Sequence, residues 1–522
     1  MVDPSLAGTP SPRSGAGPDR ADIETCLRVM AGAREADPAD PRWAAVHEAA
    51  AQVHRAGKKA RKAARHADRR RRDREATAAT ARYREQDPSA ESVLPAIPPG
   101  RPDPAGAPGP EPSTGRAERA GRALVGTRRC YVCKAAYRRV HHEYHLLCPD
   151  CAEENLARRH ARCDLRGRRA IVTGGRVKIG FQLALKLLRD GAEVLVTTRF
   201  PRDAARRLAA VPDAADWADR VHVHGVDLLD LAAVAGLLET VHRRFPSLDI
   251  LVNNAAQTIR RPAAYHRGVR AAETEPLGGL AARIDLVDAP PTGWEVSALA
   301  SPTAPALEAV PDTGPAHAGE PAVPDTGPAH AGEPAVAAGR DVLEALFPAG
   351  RTDETGQPLD LRDRNSWSLR LHEVDPAEWL EVQLVNSFAP FLLTSRLRDL
   401  LEASPWPDRY VVQVSAMEGS FSREHKTVRH PHTNMAKAAL NMLTRTAAAD
   451  YAASGIHMSS VDTGWVTDER PHPDKTAQRE AGFRPPLDVI DGAARLYDPI
   501  VRGVGGERVS GLLLKDYRPV DW

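Results

Sequence analysis

A doubly wound parallel α/β sheet is the fold class this sequence predicts, and two observations predict it. From Arg168 to Arg199 the chain reads strand, glycine turn, helix, strand. Ala170-Ile171-Val172 is a short apolar run, and Thr173-Gly174-Gly175 ends it in turn chemistry. Apolar residues then recur at helical spacing from Ile179 to Leu188, Gly191 stops the helix, and Glu193 to Thr198 is β-rich. That is one βαβ unit of about 30 residues, whose turn offers backbone N–H groups and a helix N-terminus to a pyrophosphate. Second, the alternation continues. A helix-like segment, Asp203 to Leu208, leads to a strand at Val221 to Leu228, and an amphipathic helix follows from Leu231 to Arg244. A buried strand from Leu248 then ends in Asn253-Asn254-Ala255-Ala256.

The 522 residues leave room for two to four domains, and the net charge of +2 averages over a basic N-terminal third. No apolar run reaches the roughly 18 residues of a membrane span. The opening stretch, MVDPSLAGTPSPRSGAG, has no apolar core and does not read as a secretory signal. Six cysteines, four of them in two CxxC pairs, fit a reducing compartment and a metal better than disulfides. The expectation is a soluble cytoplasmic protein.

Residues 1–120 read as a basic arm. The first twenty are rich in Pro, Gly and Ser and are expected to be disordered. Ile23 to Arg34 and Trp43 to Arg84 are Ala-rich and helix-prone; the second contains the run His54 to Glu75, HRAGKKARKAARHADRRRRDRE. Such a run either binds nucleic acid or another anionic partner, or is a solvated, partly helical tail. Few aromatics interleave the charges, so stacking on bases is not supported. Pro88 to Gly115 has linker composition.

Residues 126–163 carry the metal signal. Cys130 and Cys133 are separated from Cys148 and Cys151 by fourteen residues. Each pair turns tightly enough to fill adjacent tetrahedral corners, and an intervening hairpin brings the pairs together around zinc. Four thiolates close the shell, which predicts a structural site. His141, His142 and His145 lie between the pairs as alternative ligands. The nearby Arg128, Arg129, Lys134, Arg138 and Arg139 suit either nucleic acid or a docking role. A short helix, Ala152 to Arg162, joins this module to the βαβ unit, so the two are expected to pack together. Cys26 and Cys163 have no partner pattern.

Several motifs, in order, resemble those of the short-chain dehydrogenase/reductase family, over roughly 164–262 and 366–522. The family's TGxxxGxG turn corresponds to Thr173-Gly174-Gly175-Arg176-Val177-Lys178-Ile179-Gly180, its adenine-contacting Asp pair to Asp227-Leu228, and its NNAG motif to Asn253-Asn254-Ala255-Ala256. Trp379 to Asn386 resembles the helix whose Asn supports the proton relay. Val411 to Ser415-Ala416 resembles the Ser-bearing strand, and Lys437 to Thr446 the helix bearing the Lys. The resemblance implies a Rossmann domain, residues 164–522, that binds NADP or NAD. The implied binding residues are Thr173, Gly174, Arg176, Lys178, Ile179, Gly180, Arg199, Asp227, Leu228, Asn254, Ala255 and Lys437. Ser459 to Val466 resembles the segment over the nicotinamide and adds Gly464, Val466 and Thr467, with Thr463 in place of the family's Pro. Arg199, where an acidic residue would bind a ribose 2′-OH, favours NADP.

The departures are equally informative. Lys178 replaces the family's middle glycine. The family's Tyr stands four residues before its Lys, which places both on one helix face; here that residue is Thr433. The Ser position falls on Ala416, with Ser415 one residue earlier. Asn386 and Lys437 remain. A Thr hydroxyl is far less acidic than a phenol titrating near ~10. Three readings stay open: oxidoreduction of a carbonyl or alcohol with His432, Thr433 or Ser415 covering the missing acid; cofactor binding without turnover, as a regulator or scaffold whose zinc module and arm bind partners; or another reaction relying on Lys437 and a histidine. His425, His430 and His432 crowd the loop before this helix.

Residues 263–365 form an insertion. Ala309 to Pro321 (AVPDTGPAHAGEP) is followed directly by an identical copy, Ala322 to Pro334, and reads as a disordered loop. Asp341 to Phe347 is a candidate short helix. Asp468 to Pro486 reads as a substrate lid or loop, and Gly511 to Tyr517 as the last strand. The family's habit of pairing through the helices bearing Asn386 and Lys437 implies a homo-oligomer.

Overall fold

The alternating apolar runs assemble into a nine-stranded sheet with helices on both faces. A computed structural model describes residues 17–37, 39–84, 121–287, 343–353, 356–423 and 426–522. Most of residues 1–20, the Pro-rich linker, the tandem repeat and His425 lie outside the described residues.

The chain divides into two compact units between Glu75 and Ala76. In the first, α1 (Arg20–Glu35) starts at Asp19, whose carboxylate accepts from Asp22 N at 2.8 Å while Asp22 reaches back to the cap. The helix α2 (Ala44–Ala78) contains the whole basic run. Its cations are exposed and partly paired along the helix, as in Arg55–Glu48 at 2.9 Å and Arg71–Glu75 at 3.1 Å. A helix with neither an apolar stripe nor buried cations is a solvated one.

The second unit opens with a cysteine knuckle: hairpin strands β1 (Ala123–Arg129) and β2 (Ala136–Arg139), then α3 (Pro149–Arg159). Residues 76–84 belong to this unit, because Ala81 and Arg82 donate backbone N–H groups to His142 and Glu143 carbonyls at 2.9 Å. The unit boundary therefore falls well before the linker that composition marks.

The sheet follows. Strands β3 (Arg169–Thr173), β4 (Glu193–Thr198), β5 (Val221–Gly225), β6 (Ile250–Asn253), β8 (Arg409–Ser415), β9 (Ile456–Asp462) and β10 (Leu512–Lys515) are parallel. Two short strands extend the edges, β7 (Asp285–Val287) parallel to β5 and β11 (Arg518–Val520) antiparallel to β10. The order is β11-β10-β9-β8-β6-β3-β4-β5-β7. The order reverses between β3 and β6, which opens a crevice at their carboxyl ends.

Helices α4 (Lys178–Arg189), α5 (Pro201–Ala209) and α6 (Leu231–Arg244) make the first crossovers. Next, α7 (Pro376–Gln383) runs through a π-turn, Leu384–Phe388, into α8 (Ala389–Arg396). They are followed by α9 (Pro431–Ala453), α10 (His472–Glu480) and α11 (Val489–Val504). Two apolar clusters fill the two sides of the sheet; α4 and α11 cover one, α6, α8 and α9 the other. The edge strand β7 comes from the insertion and is fixed by ion pairs: Asp285 meets His222 of β5 at 2.9 Å, and Arg244 of α6. Sequence reading did not find β7, β11 or α10. Three-residue strands carry no period, and α10 is polar with no residue buried.

The knuckle packs against the head of α11 through buried charge. Asp488 caps that helix, and Arg159 Nη1 donates to Asp488 at 2.6 Å and to Asp491 at 3.0 Å. Arg82 also pairs with Asp488, and Tyr144 donates its hydroxyl to Asp491 at 2.7 Å. Arg495 joins Asn155 of α3 at 2.8 Å to Asp516 at 2.9 Å. Burial and the neighbouring Asp488 both push the Asp491 carboxyl up, and the Arg159 and Arg495 cations oppose them. Removing one partner of such a network strands the others. Arg159→Ala is expected to lower stability by about 3–5 kcal/mol, read from urea denaturation of the full chain; a loss below about 1 kcal/mol would place the network at a wet surface.

Candidate active site

The crevice at the carboxyl ends of β3, β4 and β6 widens into a cleft of about 2220 Å³. Its floor is the glycine turn. Gly174 has φ +68°, and a Cβ there would come within 2.9 Å of the Ala255 backbone. A Cβ on Gly180 would meet Asn254 Nδ2 at 2.4 Å and the Gly174 carbonyl at 2.5 Å. Asn254 braces the turn by donating Nδ2 to the Thr173 carbonyl at 2.9 Å, while Thr173 Oγ1 accepts from the backbones of Asn254 and Ala255 at 2.9 and 3.0 Å. Thr173 is thus behind the floor, whereas Gly174, Arg176, Lys178, Ile179, Gly180, Asn254 and Ala255 line it.

Lys178 keeps the backbone of the glycine it replaces, at φ +54°. A lysine held in the left-handed region is strained, and its position at the start of α4 makes the strain local to the turn. Its ammonium reaches Glu469 at 3.2 Å, and Thr467 donates its hydroxyl to the same carboxylate at 2.8 Å. Burial works against the Glu469 charge, yet Lys178 and then Lys475 hold its pKa down to about 2. Arg176 pairs with Asp203 at 2.5 Å beside Phe200. Arg199, just past β4, is exposed in the cleft, near His266 at 3.4 Å, and among the described residues it makes no ion pair with a carboxylate. Asp227 and Leu228 line the same end.

At the other end, Thr433 and Lys437 share a buried face of α9 with Asn441. Lys437 Nζ donates to the Val414 carbonyl at 2.7 Å. Burial lowers its pKa to about 8, with Glu418 pulling the other way. Thr433 Oγ1 is buried, faces the cleft and has no protein hydrogen-bond partner. The Ser415 hydroxyl is committed to Asn441 Oδ1 at 2.6 Å. Asn386 lies in the π-turn and exchanges two bonds with the Gln257 backbone, at 2.6 and 3.0 Å, so it positions a cleft loop without lining the cleft.

His432 is not among the lining residues. Its ring is turned inward, 3.5 Å from Glu378. The histidine that does line the cleft is His430, held at φ +43°, stacked on Trp367 at 3.8 Å and bonded through Nδ1 to Asn434 at 3.0 Å. Burial lowers its pKa, so it is neutral at physiological pH. The sequence reading set both histidines in the loop before this helix; His432 instead lies inside α9, and the left-handed His430 precedes its first residue.

Gly464 and Val466 also line the cleft. Asp462 fixes this segment by accepting from Gly464 N at 2.6 Å and Met417 N at 2.7 Å. The knuckle reaches here too: Trp465 N donates to the Tyr131 hydroxyl at 2.9 Å, and Tyr131 and Lys134 line the cleft. Burial raises the Tyr131 pKa, which suits a positioning group rather than an acid. Nothing in the local sequence signals this contact.

The four sulfurs of Cys130, Cys133, Cys148 and Cys151 lie within 4.8 Å of one another, with Cys133 and Cys148 at 3.6 Å. Zn–S bonds of about 2.3 Å at tetrahedral corners put sulfurs roughly 3.8 Å apart. The histidines are engaged elsewhere, His141 with Glu153 at 3.0 Å and His145 with the Arg484 carbonyl at 3.3 Å.

Two family models match the chain, one described as short chain dehydrogenase over residues 168–270 and one as enoyl-(acyl carrier protein) reductase over 364–481. An uncharacterized protein, R665, of Acanthamoeba polyphaga mimivirus is 31% identical over 395 residues, spanning 72% of this chain and 71% of that protein. The chain carries short-chain dehydrogenase family segments on both sides of the insertion. Among other relatives, carbonyl reductase [NADPH] 1 of Sus scrofa is 35% identical over 99 residues, 19% of this chain and 34% of that protein. A solved short-chain dehydrogenase from Burkholderia cenocepacia in complex with NADP is 18% identical, with a TM-score of 0.40 over 68% of this chain and 97% of that one. Among the described residues no helix is long and apolar enough to cross a membrane.

Lys437 carries a pH prediction. Its folded pKa lies below the ordinary 10.5 of lysine, so the unfolded chain binds more protons between pH 8 and 10.5 and this group favours folding as pH rises there. Nicotinamide-cofactor affinity that falls through about pH 8 would therefore report the lost ammonium charge, not unfolding through this group. Lys437→Arg is expected to remove that limb, measured by fluorescence titration across the range.

Proposed function

We propose that the protein is an NADP-dependent oxidoreductase acting on a small carbonyl or alcohol. The observation that carries the reading is the braced glycine turn facing a cleft in which Arg199 stands ready for a 2′-phosphate. Gly174, Ile179 and Gly180 would hold the cofactor's diphosphate, Asp227 and Leu228 its adenine, and Lys437 its nicotinamide ribose. Gly464, Val466 and Thr467 would flank the ring. The bound cofactor supplies hydride chemistry; the chain's own residues orient and protonate. Thr433, with its unpartnered hydroxyl in the family's Tyr position, orients the substrate oxygen. His430 exchanges the proton: its neutral imidazole accepts one from the alcohol in the oxidising direction and, once protonated from solvent, returns one to the carbonyl in the reducing direction, which a Thr hydroxyl cannot do near pH 7.

The missing Tyr favours a second reading, a nucleotide-binding regulator without turnover. The two differ in hydride transfer. With a panel of aldehydes and ketones, Lys437→Ala is expected to abolish NADPH oxidation, and His430→Asn to reduce kcat by about 10²–10⁴-fold without loss of NADPH binding. Absence of any turnover, with NADPH bound, would favour the regulator. Arg199→Glu is expected to weaken NADPH by at least about tenfold while sparing NADH; equal loss of both would contradict the 2′-phosphate assignment.

The knuckle is read as a structural zinc site of Cys130, Cys133, Cys148 and Cys151, in keeping with the sulfur spacing. One zinc per chain is expected by metal analysis, lost in Cys148→Ser. A homo-oligomer through α7–α9 is supported by exposed Leu380, Phe391, Met435 and Met442 on those helices. The exposed cations of α2 suit an anionic partner, and a cytoplasmic setting suits free thiols.

A further inference from the structure

Beside the main cleft lies a second chamber of about 210 Å³. Six cations from three separated segments converge on it: Arg261 after β6, Arg351 and Arg362 at the end of the insertion, and Arg470, Lys475 and Arg479 around α10. Among the described residues only two carboxylates line it, Asp353 and Asp360. Asp360 is shared, since Arg261 and Arg362 both pair with it, the latter at 2.7 Å. Arg470 pairs with Asp468, at 3.0 Å, outside the chamber wall. The Arg351 side chain makes no ion pair that the described residues show, and Lys475 acts on Glu469, already engaged by Lys178. Burial lowers the pKa of both Arg261 and Arg362, so both cations are held out of bulk water. Holding like charges together in a partly buried wall is unfavourable unless an anion completes it. Arginine forks match phosphate oxygens in pairs.

The chamber is joined to the cleft, because Arg261, Arg362, Asn365 and Arg470 line both.

We propose that this chamber binds the phosphate group of a phosphorylated substrate whose carbonyl or alcohol carbon lies in the main cleft, which rests on the oxidoreductase reading above. The chamber then gives the returning segment Arg351–Arg362 a role: with Arg261 and the α10 region it supplies selectivity for a phosphorylated substrate.

The test uses the full chain saturated with NADPH, so that the cofactor's own phosphates occupy their site. Inorganic phosphate is titrated by calorimetry into the wild type, Arg351→Ala and the double variant Arg351→Ala/Lys475→Ala. Phosphate is expected to bind the saturated wild type and to weaken about tenfold in the single variant and further in the double, with NADPH affinity unchanged. Arg351→Lys, a control against misfolding, is expected to retain most of the binding. Paired aldehydes with and without a phosphate then separate the sources. A substrate site predicts a higher kcat/KM for the phosphorylated member, lost in the double variant. Phosphate that binds but gives no such preference marks a site for free phosphate and overturns the substrate assignment. Loss of phosphate binding on NADPH saturation would assign the chamber to the cofactor, and binding indifferent to both variants would place phosphate elsewhere; either overturns the proposal. If NADPH itself fails to bind, the oxidoreductase reading fails, and phosphate titrated into the unsaturated chain still decides whether the chamber takes an anion.

Discussion

The buried charge at the head of α11 is the constraint on which the rest of the second unit depends. Asp488 and Asp491 are adjacent carboxylates in an interior that would not tolerate them alone. Arg159 and Arg82 come to them from the knuckle side, and Arg495 links Asn155 to Asp516 from α11 itself. Satisfying these charges fixes the knuckle against the last crossover of the sheet. That in turn presents Tyr131 to the segment Gly464–Val466, with Leu487 and Val466 completing the knuckle's apolar core. Cysteine knuckle, helix cap and cleft wall are therefore one packed arrangement.

The cleft is organised by a smaller set of bonds. Thr173 and Asn254 tie the first strand's turn to the end of β6, so that Gly174 and Gly180 sit where any side chain would collide with backbone. Against that rigid floor the variable parts are charged. Lys178 occupies a glycine position at a conformational cost and meets Glu469 from the α10 region, and the insertion brings arginines to the same rim. The site is a conventional turn under an unconventional, ionic roof.

Much of this was legible in the sequence, for physical reasons. The βαβ unit announces itself because apolar period and glycine chemistry are local, and the helix Leu231–Arg244 was read to the residue. The cysteine pairs were legible from their spacing, and their sulfurs converge. What escaped depends on contacts far apart in sequence. Strand β7 exists because Asp285 finds His222 and Arg244, and Tyr131 matters because Trp465 lies 334 residues further on. His430 rather than His432 faces the cleft because a left-handed residue stacked on Trp367 turns the chain just before α9. A polar helix such as α10 gives composition no apolar stripe to follow.

That the knuckle is part of the cleft wall, and not an appended module, is the arrangement on which cofactor binding would depend. It is tested most directly by titrating NADPH into zinc-loaded and zinc-stripped protein, with circular dichroism confirming that the α/β sheet persists in both. The loaded form should bind, and the stripped form should lose at least about tenfold in affinity, because Tyr131 no longer holds Trp465 and the loop beside it. Equal affinity in the two forms, with the sheet intact, would contradict the account.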